Sequence, residues 1–233
     1  LYSYAFRQPE TLEEITFILP ALNQWKNSFT YPIYIDYEDK LIWEKTQSKE
    51  QRTNILRTGM NALAQNGYLP GFYTYYNAAT TYINTQQLID EGYDFWVAHY
   101  GVNSNPWSGA GMWQSSSKGT VSGINGNVDL NYAYVDYPAL SKTVTVYDVN
   151  TGKNVQGKIK DLVPQMVQNE VGGGLGLTGK DKASLFKAQT LAARSYLQFH
   201  TSNGLVPTVG LRTPSAEVLS NSNQVMRLGI YYN

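Results

Sequence analysis

The sequence predicts an α/β protein in which a parallel sheet is followed by a smaller α+β domain. Over residues 1–100, strand-like and helix-like segments alternate at the spacing of βα units. From Gly101 the helical period stops while strand patterns continue, and the proline-containing segment 138–142 separates this pattern from a different one. We therefore predict a first domain over residues 1–137, a linker at 138–142 and a second domain over 143–233.

The composition limits which classes of molecule the chain is expected to bind. The 233 residues include 18 basic and 18 acidic ones, so a formal net charge of zero gives no attraction toward nucleic acid or an anionic membrane. The chain has no cysteine, which excludes disulfides and Cys-based metal sites or nucleophiles and fits a secreted bacterial protein. It shows no signal peptide and no apolar run of spanning length, so we expect it to be soluble or such segments to lie outside it.

The first elements follow from local patterns. Residues 1–6, LYSYAF, predict a strand, and the acid-rich segment after Pro9 predicts a helix to about Asn27. The apolar stripe of this helix is Leu12, Ile15, Ile18, Leu19 and Leu22, and Pro20 is expected to kink it. Residues 31–38 predict the next strand because aromatic and β-branched residues dominate them. The strand-like pattern at both ends of the chain suggests a piece of a longer protein.

Three more alternations complete the βα pattern. Residues 49–66 predict an amphipathic helix with Ile55, Met60 and Leu63 inward and Gly67 as its C-cap. The segments 71–76, 77–91 and 93–100 then predict a strand, a helix ending at Gly92, and an aromatic-rich strand. Beyond them, a Gly-, Ser- and Asn-rich loop precedes a short WQSSS strand and the segment GINGNVDLNYAYV, which has no helical period.

The strand YPIYIDYED ends in three carboxylates. Since side chains alternate along a strand, Asp36 and Glu38 point to one face while Tyr37 and Asp39 point to the other. Two neighbouring acids raise each other's pKa and can hold different protonation states, as acid-base hydrolysis of a sugar bond requires. The alternative is a pair of solvated acids at a strand end.

Four blocks carry a family resemblance. In order, YPIYIDYED, GFYTYYN, FWVAHYG and MWQSSSKGTVSGINGNVDLN resemble the glycoside hydrolase family 25 muramidases, which cut the bond between N-acetylmuramic acid and N-acetylglucosamine in peptidoglycan. The resemblance implies an irregular, TIM-like (β/α)5(β)3 barrel with its site at the carboxyl ends of the strands. The chain begins at what resembles the third strand of the family. We therefore expect the first strands and their aspartate either to precede residue 1 in the parent protein or to be replaced by another segment.

The resemblance also assigns residues. Glu38 matches the catalytic acid, Asp36 the carboxylate two positions earlier, and Asp129 the acidic residue near the last barrel strand. The positions that match the sugar groove are Tyr4, Tyr73, Trp96, Trp113 and Gln114. Strand alternation directs His99 away from the face of Trp96, so we expect His99 to be a packed or surface residue.

The sequence is compatible with several mechanisms for cleavage of the glycosidic bond. Glu38 would protonate the glycosidic oxygen, its pKa raised by an ionised Asp36 and a tyrosine-rich wall. Residues two apart on a strand have Cα atoms about 6.6 Å apart, which does not choose between retention and inversion. A third route, which we favour, uses the 2-acetamido group of the substrate as nucleophile, with Asp36 stabilising the charged ring. None of these routes requires a metal or an organic cofactor.

The second domain shows a different order of elements. TVTVYDVNTGKNVQGKI predicts a hairpin that turns at Asn150 to Gly152. A helix is predicted from Asp161 to Glu170, and a second from residue 181 or 184 to His200. The residues at helical spacing on the second helix are Leu185, Ala188, Leu191, Ala192, Ser195 and Tyr196.

The block SLFKAQTLAARSYLQF resembles one in the stage II sporulation protein D family, which includes peptidoglycan lytic transglycosylases and proteins that stimulate amidases. The resemblance makes Glu170 a catalytic acid, whereas a surface carboxylate at a helix end is the alternative. Val171 and Gly172 replace the Met-Pro that often follows this glutamate, and NQVMRLG at 223–229 is similar to a later strand of the family.

Together these patterns predict a bacterial cell-wall hydrolase that acts on peptidoglycan outside the cell or in the envelope, or a phage-encoded one. The competing class is a glycan-binding, structural or amidase-enhancing component of an envelope machine.

Overall fold

The computed structural model describes residues 1–228, which divide into two compact units. The first unit contains residues 1–63 and 70–136, and the second contains residues 64–69 and 137–228. Up to residue 136 the elements are α1 (Gln8–Gln24), β1 (Ile33–Asp36), α2 (Lys40–Lys45), α3 (Lys49–Gln65), β2 (Pro70–Tyr75), α4 (Tyr76–Thr81), α5 (Thr85–Asp90), β3 (Asp94–Ala98), β4 (Met112–Gly119) and β5 (Val128–Ala133). A single 3-10 turn at Lys26–Ser28 follows α1.

The first unit is built on a five-stranded sheet in the order β1-β2-β3-β4-β5. Strands β1 to β4 are parallel and β5 is antiparallel to β4, which confirms the predicted parallel sheet. Within residues 1–228 this sheet is open, so the closed barrel stays a prediction. One face of this sheet is buried. The core is formed by side chains of that face and of α1 and α3, and it includes Ile15, Ile35, Tyr37, Ile55, Met60, Leu63, Phe72, Phe95 and Val97.

Two predicted segments of the first unit differ in the structure. The strand expected at 1–6 is reduced to one bridge between Tyr2 and Asp36, because carboxylates of α1 accept the next backbone N–H groups. Glu14 accepts the N–H of Tyr4 at 2.8 Å, and Glu10 accepts that of Phe6 at 2.7 Å. On α1 the buried residues are Thr11 and Ile15, whereas Leu12 is 43% exposed.

The single helix predicted over 77–91 is two helices. The first ends in the β-branched pair Thr80 and Thr81, and the hydroxyl of Thr80 donates to backbone carbonyls of the preceding turn. Thr85 begins the second helix, and its hydroxyl donates to the carbonyl of Ala79 at 2.8 Å. These side-chain bonds fix the break at residues 82–84.

Helix α2, which the sequence patterns do not predict, begins shortly after the acidic strand β1. The Asp39 carboxylate accepts the Leu41 N–H at 2.7 Å and so caps this helix. We expect Asp39→Ala to lower the free energy of unfolding by about 1 kcal/mol, because the cap is lost. Urea denaturation followed by tryptophan fluorescence measures this change, since all five tryptophans lie within residues 1–136. Asp39→Asn keeps a capping oxygen and is the control; an equal loss in both variants would contradict the capping role.

The second unit contains α6 (Tyr137–Leu140), β6 (Thr143–Asp148), β7 (Lys153–Lys158), α7 (Ile159–Val171), α8 (Gly179–Ser202), β8 (Thr208–Val209) and α9 (Ala216–Val225). The predicted hairpin is confirmed as β6 and β7, and β8 adds a parallel strand beside β6. Its core includes Val146, Leu162, Val163, Val167, Phe186, Leu197, Val218 and Met226.

Three expectations for this unit need correction. Helix α6 occupies much of the segment predicted as a linker. The buried residues of α8 are Phe186, Thr190, Ala193, Arg194 and Leu197, which shifts the inward face by about one residue from the predicted set. Residues 223–225, predicted as the start of a strand, end α9 instead, and residue 229 lies outside the described residues.

Candidate active site

A cavity of about 600 Å³ lies on the face of the sheet that carries Tyr34 and Asp36. It brings together six of the nine predicted site residues, namely Asp36, Glu38, Tyr73, Trp96, Gln114 and Asp129. Period-two alternation therefore placed the two acids of the first strand correctly on one side. The cavity also has an apolar wall, which includes Ile18, Leu22 and Phe29.

The backbone around Asp36 and Glu38 is anchored at several points. The Asp36 carbonyl accepts the Ser3 N–H at 2.9 Å. Between the two acids, Tyr37 is fully buried; its N–H donates to the Tyr73 carbonyl at 3.0 Å and its hydroxyl to the Ala5 carbonyl at 3.1 Å. Since the helix cap at Asp39 fixes the next residue, Glu38 is held from both sides.

The two carboxyl groups have raised pKa values. Burial, followed by the charge of Glu38, raises the pKa of Asp36 to about 7. Burial, followed by the charge of Asp39, also raises the pKa of Glu38. Within the described residues, Oδ1 of Asp36 is buried without a hydrogen-bond partner. At a pKa of about 7, Asp36 retains its proton up to about that pH, and the raised pKa of Glu38 also favours its protonated form.

A hydrogen-bonded aromatic wall faces the acids. The Gln114 carbonyl oxygen accepts the hydroxyls of Tyr73 at 3.0 Å and Tyr100 at 2.6 Å. The Trp96 indole N–H donates to the Asn131 side chain at 3.0 Å, and the Trp96 ring lies 4.8 Å from that of Tyr73. These contacts hold two ring systems in fixed positions, as a site that binds a rigid substrate requires.

A second cavity, of about 490 Å³, also borders Glu38. Glu38 and Tyr73 line both cavities, and the second also includes Tyr75, Tyr76, His99 and Tyr100. The His99 ring stacks on Tyr76 with centroids 4.4 Å apart, so His99 is packed as expected and also borders this cavity. An acid between two cavities can protonate the atom that joins two units of a substrate.

The structure does not bring Tyr4 or Trp113 to the acid cavity. Tyr4 is 51% exposed and its ring packs beside Tyr2. Trp113 is 4% exposed, stacks on Tyr132 and lies on the opposite face of β4 from Gln114, because consecutive strand residues alternate. Their roles in substrate binding stay predictions.

Sequence reasoning missed several residues near the acids. Tyr34 precedes Asp36 by two positions and lines the same cavity, so alternation along YPIYIDYED was sufficient to find it. Asn131, which orients Trp96, is paired with Gln114 across β4 and β5. The contact between Asn131 and Trp96 cannot be predicted from a single strand, because it depends on the register of β4 and β5.

Glu170 lies in the second unit near the end of α7. Its side chain is exposed and accepts a hydrogen bond from the Gln189 amide on α8. The catalytic role that the sequence predicts for Glu170 stays a prediction.

Two further properties concern metal binding and membrane insertion. Among residues 1–228, no group of three or more His, Asp or Glu side chains is arranged to hold a metal ion. Over the same range, every helix is too short or too polar to cross a bilayer.

Comparisons with known proteins give one family match. The model of the family described as Glycosyl hydrolases family 25 matches residues 1–124, which is more than half of the chain. A comparison with curated proteins found no match.

Several solved structures are similar to this chain. The spore cortex lytic enzyme SleM of Clostridium perfringens is 16% identical over 57% of this chain and 48% of its own, with a TM-score of 0.46. The catalytic domain of endolysin ply40, from bacteriophage P40 of Listeria monocytogenes, is 24% identical over 59% of this chain and 68% of its own, with a TM-score of 0.43. A lysozyme of Streptomyces coelicolor is 28% identical over 37% of this chain and 42% of its own, with a TM-score of 0.33. The chain thus spans about half the length of SleM.

Proposed function

Because the chain belongs to glycosyl hydrolases family 25, we propose that it hydrolyses the bond between N-acetylmuramic acid and N-acetylglucosamine in peptidoglycan. The observation that carries this proposal is the pair Asp36 and Glu38, which share one cavity with raised pKa values. Two carboxyl groups that retain one proton supply both the acid and the anion that glycoside hydrolysis needs. Such a substrate implies action at the bacterial cell wall, by a secreted or phage-encoded enzyme.

In the proposed reaction, Glu38 donates the proton to the glycosidic oxygen. A pKa of about 7 leaves Asp36 protonated in the free site below that pH, whereas the sequence predicts an ionised Asp36. We propose that the two groups share one proton, so that an approaching glycosidic oxygen that accepts a bond from Glu38 favours the arrangement with Glu38 protonated and Asp36 ionised. Asp36 then stabilises the positive charge that develops on the sugar ring.

The positions of the two cavities support this assignment of Glu38. The sugar that loses its bond lies in the cavity with Asp36, Trp96 and Asp129, and the leaving sugar lies beside Tyr76 and His99. The 2-acetamido group of the first sugar then faces Asp36, which fits the substrate-assisted route. That route predicts retained, β-configured product, and α-configured product immediately after cleavage would rule it out.

Product analysis tests the proposed function. Purified peptidoglycan is incubated with the full chain, and the soluble fragments are separated and identified by mass spectrometry after borohydride reduction. We expect fragments that end in reduced N-acetylmuramic acid. Fragments that end in reduced N-acetylglucosamine would contradict the bond assignment, and binding without released fragments would favour the alternative of a non-catalytic glycan-binding protein.

The second unit is proposed as a further peptidoglycan-directed domain, similar to the stage II sporulation protein D family. Its proposed activity is that of a lytic transglycosylase, with Glu170 as the acid. The same digest tests this point, because a transglycosylase leaves 1,6-anhydro ends. Anhydro fragments that disappear in Glu170→Gln would support the role of Glu170, and their absence from the wild-type digest would contradict it.

A further inference from the structure

The outer side of the β4–β5 ribbon carries a cavity that the proposed reaction does not use. Its volume is about 660 Å³, within the range of small-molecule sites. Its lining residues are Val102, Asn103, Ser104, Asn105, Trp113, Ser115, Tyr132 and Tyr134, and none of them lines either cavity beside Glu38. The consecutive residues Trp113 and Gln114 therefore face two different sites on opposite sides of the same strand.

The base of this outer cavity is a supported aromatic platform. Tyr132 is 56% exposed, and its ring stacks on that of Trp113 with centroids 5.3 Å apart and planes 19° apart. Trp113 is buried, and its indole N–H donates to the His99 carbonyl at 2.9 Å. The tyrosine thus presents one ring face to solvent while the other face is held by a fixed tryptophan.

The rim of the outer cavity supplies neutral polar groups. The side chains of Asn103 and Ser104 are exposed and make no hydrogen bond within the described residues. The Asn105 side chain is used in its own loop, where it accepts the Trp107 N–H at 3.0 Å. None of the eight lining residues carries a charge, so the lining offers no ion pair to a charged ligand.

We propose that the outer cavity binds a neutral N-acetylated sugar unit of the glycan without cleaving it. A pyranose ring has an apolar C–H face that fits the exposed ring of Tyr132, and its hydroxyl and amide groups match the free groups of Asn103 and Ser104. A charged stem peptide has amide groups that could bond to the rim, but it lacks a flat C–H face for the ring of Tyr132 and finds no partner for its charges in the lining. This assignment rests on the proposed function for its choice of polymer, but the binding itself does not require cleavage.

The test is a titration of the 233-residue chain carrying Glu38→Gln with chitotriose, a soluble N-acetylglucosamine trimer. The indole N–H signal of Trp113 in a ¹H–¹⁵N NMR spectrum, assigned with Trp113→Phe, reports on this cavity. Because this N–H also bonds to the His99 carbonyl beside Glu38, only a shift that Tyr132→Ala reduces counts as binding at the outer cavity. We expect the signal to shift on titration and Tyr132→Ala to weaken the binding about fivefold or more. Tyr132→Phe keeps the ring and should bind within about twofold of the parent.

Tyr147→Ala is the matched control, since Tyr147 is another exposed strand tyrosine, 40% exposed and located in the second unit. An unmoved Trp113 signal at saturating chitotriose would overturn the proposal, as would equal affinities for the parent and Tyr132→Ala. A shift with a soluble stem peptide but not with chitotriose would also overturn the choice of a saccharide. Since Glu38→Gln is used throughout, these outcomes are independent of whether the wild-type chain cleaves peptidoglycan.

Discussion

Replacing Glu38 with glutamine is expected to slow the clearing of purified cell walls by about 10²- to 10⁴-fold, the contribution of a general acid. Glutamine keeps the size and the hydrogen-bonding capacity of the side chain but has no proton to transfer at working pH. The initial rate of turbidity loss, measured at equal concentrations of wild type and variant, gives this ratio.

Two controls make the result specific to Glu38. Glu44→Gln replaces an acid on α2 whose side chain is 51% exposed and pairs with Lys40 at the surface, so clearing should stay at the wild-type rate. Glu170→Gln removes the proposed acid of the second unit, so its clearing rate shows how much of the activity depends on that unit. Clearing by Glu38→Gln at the rate of Glu44→Gln would exclude Glu38 as the acid.

The central motif of the site was predictable from the sequence alone. Alternation along YPIYIDYED assigned Asp36 and Glu38 to one face and the buried Tyr37 to the other. The family resemblance added Asp129, which is more than 90 residues away and lines the same cavity. Local periodicity carries information about one strand, whereas residues on distant strands meet only through the order of the sheet.

The same rule bears on the predicted sugar groove, whose residues the structure does not bring to one cavity. Trp113 and Gln114 were both assigned to the sugar groove, yet adjacent residues of a strand point to opposite faces, so one strand could not deliver both. Tyr4 lies in a segment whose N–H groups bond to glutamates of α1, a contact that no strand pattern reveals. On α8, the apolar spacing left the inward face uncertain by one residue, and packing of Phe186 and Leu197 decided it.

The high pKa of Asp36 could not be predicted from the sequence either. When two acids lie close together, their pKa values are expected to differ, but the burial of each group decides which pKa is higher. Glu38 lies beyond the last residue of β1 and faces two cavities, whereas Asp36 is the last residue of the strand and has a buried oxygen without a partner. Burial therefore raises the pKa of Asp36 to about 7 in the free site.

Replacing Asp36 with asparagine is expected to lower kcat by about 10²- to 10³-fold, as when one group that stabilises the transition-state charge is lost. The pH profile changes as well. In the wild type, activity falls as the pair loses its shared proton near pH 7. In Asp36→Asn the Asp36 carboxylate no longer opposes ionisation of Glu38, although the charge of Asp39 remains, so the alkaline limb of the residual activity should move to lower pH. A limb that stays in place or moves upward would contradict the shared proton.

Stability gives a second readout for Asp36→Asn that does not depend on activity. The pKa of Asp36 is about 7 in the folded chain and about 3.9 in an unfolded one, so between these values the folded state binds more protons. The contribution of this group to the free energy of unfolding is therefore present at low pH and is lost as pH rises through about 7. Urea denaturation at pH 5 and pH 8 should show a decrease in the wild type that is smaller in Asp36→Asn. Equal decreases in both proteins would mean that Asp36 is ionised throughout this range, and the proton for catalysis would then have to reside on Glu38 alone.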